Sequence, residues 1–133
     1  MGQKTHPTGF RIGVNKSHSA TWFSNYGVYS QILNEDYKIR QFFEKELKLL
    51  YNKAGIAKLE IKRKVNQLEL LIYAARPKFI SSSSTDEAVI LSLGNKIQKL
   101  LTKPKQIKIR VVQIAKSENE SLLIAMSLAD QLE

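Results

Sequence analysis

Apolar residues along this chain switch between helical spacing and strict alternation, and each switch predicts an element. After Asn34-Glu35-Asp36, apolar residues recur at Ile39, Phe42, Phe43, Leu47 and Leu50, the three- and four-residue spacing of one buried helix face. Asn34 is the predicted N-cap. Glu35 and Asp36 then fall in the first turn, where acids favour the positive end of the helix dipole. Asn52 to Gly55 supplies the stop.

From Ala57 the period becomes two. Ala57, Leu59 and Ile61 alternate with Lys58, Glu60 and Lys62, which describes a half-buried strand. A polar link from Arg63 to Gln67 leads into Leu68, Leu70, Ile72 and Ala74, alternating with Glu69, Leu71 and Tyr73. Two such runs joined by a short polar link predict a hairpin whose second strand is the more buried. Ala75-Arg76-Pro77 ends that strand, and a short helical turn is expected near Lys78 to Ile80.

Ser81 to Ser84 reads as a loop, with Ser84 or Thr85 capping a helix whose buried stripe is Ile90, Leu93, Ile97, Leu100 and Leu101. Gly94 inside that helix costs about 1 kcal/mol against alanine, and close packing on the sheet is the expected reason. Pro104 stops the helix, and Ile107, Ile109 and Val111 alternate with Lys108, Arg110 and Val112 as a third strand. Ser117 or Asn119 is the expected cap of a last helix through Leu122, Ala125, Met126, Ala129 and Leu132. The plan is α+β: α-β-β-α-β-α, a small three-stranded sheet with helices on one face.

Composition narrows the function. The 133 residues carry 21 Lys+Arg against 12 Asp+Glu, a net charge of +9, and no cysteine. A disulfide framework, a thiolate nucleophile and a Cys-ligated metal are therefore excluded. No run approaches 18 apolar residues, so no membrane span and no membrane partner are expected. The N-terminus lacks the apolar core of a secretory signal, and His6 stands where a myristoylation motif needs Ser or Thr.

The charge is uneven. Residues 1–34 contain Lys4, Arg11 and Lys16 and no acid. With Gly2, Gly9, Gly13, Gly27 and Pro7 and no sustained period, they read as an extended basic arm (1–34), ahead of a folded domain (35–133). Residues 117–133 hold four acids and no base.

No phosphate-binding glycine loop, zinc-protease helix, hydrolase elbow or calcium loop is present. His6 and His18, both in the arm, have no acidic cluster beside them in sequence, so no metal site is expected. No histidine near Ser81 to Ser84 could serve as base, and the paired carboxylates stand at predicted helix starts. Neither catalytic residues nor a cofactor is expected.

A nucleic-acid partner fits better. Lys4, Arg11 and Lys16 lie among glycines that let the backbone approach phosphates. Phe10, Trp22, Phe23, Tyr26 and Tyr29 interleave aromatic faces suited to base stacking. Stapling of the arm to the core is the competing reading for Trp22 and Phe23. A second basic set is Arg76, Lys78, Lys96, Lys99, Lys103 and Lys105, around the Ser81 to Ser84 loop and the second helix. The last helix is apolar to its end, and Ile124, Leu128 and Leu132 form a second apolar line. That line serves either docking on the chain's own sheet or a contact with another protein segment.

Met1-Gly-Gln-Lys-Thr-His-Pro-Thr-Gly-Phe-Arg-Ile-Gly13, then HSATWF, YKIRQFF and AARPKF, resembles the third protein of the small ribosomal subunit of bacteria and organelles. The likeness spans all 133 residues, and the HSATWF and Ala-Arg-Pro segments look like plastid versions. It implies a type II KH-like domain after the arm. It also implies a structural role in the subunit head near the mRNA entry side, with small-subunit rRNA and other head proteins as partners and mRNA nearby.

The arm residues that match the family's motif, and that would touch rRNA, are Gly2, Gln3, Lys4, His6, Pro7, Arg11 and Lys16. Two departures stand out. The glycine-containing loop that clamps RNA backbone in the bacterial form is replaced by Phe79 to Thr85, which has no glycine. The family's C-terminal domain does not follow in this sequence: either a separately encoded C-terminal half that meets the last helix supplies it, or the sequence is a fragment of a longer or interrupted product. The expected compartment is the plastid (chloroplast) stroma, with bacterial cytoplasm or mitochondrion as alternatives. The rival functions are a stand-alone RNA-binding maturation or regulatory factor and a protein-interaction module.

Overall fold

A computed structural model describes residues 1–45, 53–81 and 86–133. In chain order its elements are α1 (Pro7–Arg11), β1 (Ala20–Thr21), α2 (Tyr26–Lys45), β2 (Ile56–Arg63), β3 (Gln67–Ala74), α3 (Lys78–Ser81), α4 (Asp86–Leu100), β4 (Gln106–Gln113) and α5 (Ser121–Leu132). A 3-10 turn, Ser117–Asn119, precedes α5.

The predicted hairpin is present: β2 and β3 pair antiparallel, with Ile61 beside Leu70 and Arg63 beside Leu68. β4 then joins β3 in parallel, Gln67 beside Gln106 and Ala74 beside Gln113. A parallel partner needs a crossover, which α3 and α4 provide. The sheet has a fourth strand that alternation could not show. Two arm residues, Ala20 and Thr21, pair in parallel with Ile61 and Lys62, giving the order β1-β2-β3-β4.

Strand periodicity sorts the two faces. Ile61 of β2 and Leu68, Leu70, Ile72 and Ala74 of β3 are buried, together with Ile39, Phe42 and Phe43 of α2 and Leu93 and Ile97 of α4. Ile107, Ile109 and Val111 of β4 pack against this core. The alternate residues, among them Lys58, Glu60, Glu69, Tyr73, Lys108 and Arg110, occupy the other face. There Lys58 pairs with Glu60 at 2.6 Å and Arg110 with Glu69 at 3.1 Å. The plan is the α+β, KH-like one expected, with α2 and α4 covering one face.

Several local expectations change. α2 begins at Tyr26, so Asn34 lies inside it and the boundary placed after residue 34 crosses a helix. Its first two turns showed no core stripe because Val28, Tyr29 and Leu33 are 43%, 48% and 51% exposed. Glu35 and Asp36 are accordingly buried mid-helix groups, not first-turn acids. Glu120 occupies the N-cap of α5 with no side-chain bond, while Asn119 belongs to the preceding turn. A Cβ built on Gly94 would meet nothing within 4 Å, so close packing is not the reason for that glycine. Gly55 does sit at a left-handed turn, φ 62°, where a Cβ would stand 3.2 Å from that of Ala75. Leu47, Leu50, Asn52, Ser82, Ser83, Ser84 and Thr85, named above for a helix face, a helix stop, a loop and a cap, lie outside the described residues.

Candidate nucleic-acid interface

The arm is locally built. Pro7 stands at the start of α1, where its missing N–H costs nothing. His6 caps that turn: the Gly9 N–H donates to His6 Nδ1 at 3.1 Å. Arg11 folds back, donating to the Pro7 carbonyl at 2.9 Å, with its guanidinium 6.0 Å from the Phe10 ring centre. Gly13, at φ 87°, lets the chain reverse, and its N–H donates to the Lys16 carbonyl at 3.0 Å. Gly2, Gln3, Lys4, His6, Pro7, Arg11 and Lys16 are therefore not equivalent: His6 and Pro7 shape a turn that presents Arg11. All except the half-buried Ile12 are solvent-exposed from Met1 to Lys16.

A buried charged cluster holds the rest of the arm to the domain. Arg63, its side chain only 3% exposed, donates to Glu35 Oε2 at 2.7 Å and, through Nε, to Asp36 Oδ1 at 2.8 Å. Its Nη2 also bonds Asp36. Trp22 donates its indole N–H to the other Asp36 oxygen at 2.8 Å. Glu35 Oε1 accepts from the Thr102 hydroxyl at 2.6 Å and from its N–H at 3.0 Å. Burial raises the Glu35 pKa, but the Thr102 hydroxyl, the Thr102 N–H and Arg63 together outweigh it and hold the carboxyl below its ordinary value of 4.5. Further along, Arg40 donates to the Leu59 carbonyl at 3.0 Å and to the Ser19 carbonyl at 3.1 Å. Trp22 is thus a staple, whereas Phe23 is 90% exposed and is not.

Loop 13–22 and α2 enclose an open groove of about 1400 Å³, lined in part by Lys16, His18, Trp22, Tyr29, Tyr37 and Arg40. Tyr29 packs against Trp22, ring centres 5.2 Å apart and tilted by 48°.

The second basic set does not form one surface. Arg76 and Lys78 follow the end of β3, whereas Lys103 and Lys105 precede β4, whose first residue pairs with the start of β3. An eight-residue strand separates the two groups by about 25 Å. Lys96 and Lys99 are exposed on the later turns of α4, toward the Lys103 end. Two lysines missed in the sequence join this end. Lys62 and Lys64 flank the β2–β3 turn, which is tied to β4 by the Gln106 N–H donating to the Asn66 carbonyl at 2.9 Å. Only the parallel register of β3 and β4 could have revealed them. Among the described residues, no group of three His, Asp or Glu could hold a metal ion.

The whole chain aligns, at 62% identity, with small ribosomal subunit protein uS3c of Emiliania huxleyi. It is 44% identical to uS3c of Pyropia yezoensis and 39% identical to uS3 of a Synechocystis species, again over all of this chain. The chain is similar to uS3 proteins from its first residue to its last. No protein-family model matches it. It spans 62% of the Emiliania huxleyi relative and 55% and 53% of the other two.

Beside this likeness to uS3, α5 carries the remaining candidate contact. Only Leu123 and Met126 are half-buried there, and a Cβ on Gly55 would stand 3.6 Å from Leu123. Ile124, Leu128 and Leu132 are 44%, 52% and 88% exposed.

Proposed function

We propose that the chain is a structural, non-catalytic component of the small ribosomal subunit that binds small-subunit rRNA. The observation that carries this reading is the end-to-end likeness to uS3 and uS3c proteins. Gly2, Gln3, Lys4, Arg11 and Lys16 reach phosphates from the exposed arm, with His6 and Pro7 fixing its turn. Lys96, Lys99, Lys103 and Lys105 add a cationic end to the sheet, and Arg76 and Lys78 form a separate contact. The folded body fixes position while the exposed arm from Met1 to Lys16 supplies affinity. The site is in the subunit head near the mRNA entry side, beside other head proteins.

The algal relatives are plastid-type, which supports the plastid stroma as compartment. The exposed Ile124, Leu128 and Leu132 are an apolar line of the kind that marks a protein contact. Its occupant is a further protein segment of the subunit.

Sedimentation of a native lysate in low and high salt, with mass spectrometry of each fraction, tests the reading. One copy per small subunit after the high-salt wash is expected. Release by salt, or absence from the subunit, would instead mark a stand-alone RNA-binding factor. Combined Lys4→Glu and Arg11→Glu substitution should prevent stable incorporation, and normal occupancy would overturn the arm's role.

A further inference from the structure

We infer that the groove between loop 13–22 and α2 holds a short single-stranded segment of RNA, its bases stacked on the exposed tyrosines of α2. The inference rests on the RNA-binding reading above and assigns it a specific place. At about 1400 Å³ the groove exceeds the roughly 300–1,000 Å³ of compact small-molecule sites. It is also open to solvent, which suits a strand lying in it.

Its charge selects the class of strand. Lys16, His18 and Arg40 line it, and the side chains of Lys16 and His18 make no hydrogen bond or ion pair among the described residues. Among the described residues the one acid in the lining, Asp36, is already engaged by Arg63 and Trp22. A polyanion therefore meets the free Lys16 ammonium, the imidazole of His18 and the Arg40 guanidinium, and no free carboxylate.

Aromatic faces select single strands. Tyr29 is 48% exposed and Tyr37 59% exposed, both on the groove wall. Eight residues apart on one helix, they are about 12 Å from each other along the axis. At about 3.4 Å per stacked step that distance is covered by three or four steps, or about four to five nucleotides. Paired bases in a duplex present no face to such rings, whereas unpaired bases stack on aromatic side chains.

Trp22 is the chain's sole tryptophan and lines the groove, so its fluorescence reports occupancy. Titration of the whole chain with an octauridylate should quench Trp22, and a duplex of equal charge should compete poorly. Combined Tyr29→Ala and Tyr37→Ala substitution should weaken octauridylate binding at least tenfold, while Tyr29→Phe with Tyr37→Phe should retain it. Circular dichroism of each variant checks the fold, which these exposed positions should leave intact. If both tyrosine pairs bind like the parent while Lys4→Glu with Arg11→Glu loses binding, the groove inference falls and the arm reading stands. If neither oligonucleotide nor duplex binds the parent chain, both fall.

Discussion

Trp22 donates its indole N–H to the Asp36 carboxylate at 2.8 Å, and the same carboxylate accepts from Arg63. One residue of α2 thereby joins the arm to β2. A hydrogen bond to a charged group contributes about 1.5–3 kcal/mol. Trp22→Phe keeps a ring beside Tyr29 but removes the donor, so a loss near the lower end of that range is expected because Arg63 still serves Asp36. Urea unfolding followed by circular dichroism measures it.

Arg63 supports two buried acids at once. Arg63→Ala leaves Glu35 and Asp36 without their cation, and breaking a buried pair from one side costs about 3–5 kcal/mol. Arg63→Lys should recover part of this only, because an ammonium cannot form the forked contact with both carboxylates. Equal midpoints in denaturant for Arg63→Ala and the parent would contradict the role assigned to this cluster.

Acid should destabilise the domain through Glu35. Its folded pKa lies below the ordinary 4.5, so its contribution is fully present above the unfolded value and is lost as pH falls through the folded one. Stability measured from pH 6 down to pH 3 should therefore decline. The Glu35→Gln variant, which has no carboxyl to titrate there, should show a shallower decline from a lower starting point.

Gly94 is helical and a methyl group there meets open space. Gly94→Ala should stabilise the domain by up to about 1 kcal/mol. A higher thermal midpoint is the expected readout, and an unchanged or lower one would show that the position is needed bare.

Elements that bury one face were legible from spacing alone. The alternation of Leu68, Leu70, Ile72 and Ala74 is the buried face of β3, and Ile39, Phe42 and Phe43 are the inner face of α2. What spacing could not show is long-range pairing. Glu35-Asp36 resembles a first helical turn in any local window, and only Arg63, 27 and 28 residues away, reveals it as a buried cluster. The start of α2 was hidden because Tyr29 and Leu33 line the groove, not the core. Likewise Ala20-Thr21 is too short for a period of two to register. The basic residues themselves were plain in the sequence. Their division into two separate groups depends on the direction in which β4 joins the sheet.

β4 ends the sheet, and its eight residues offer backbone groups on the side away from β3. Such an edge invites pairing with a second copy and growth into aggregates. Here Lys108 stands exposed on it, and Arg110 beside it is already paired with Glu69, so two like edges brought together would set the Lys108 ammonium groups against each other. The same charges that suit a polyanionic partner would keep newly made copies apart until that partner is met.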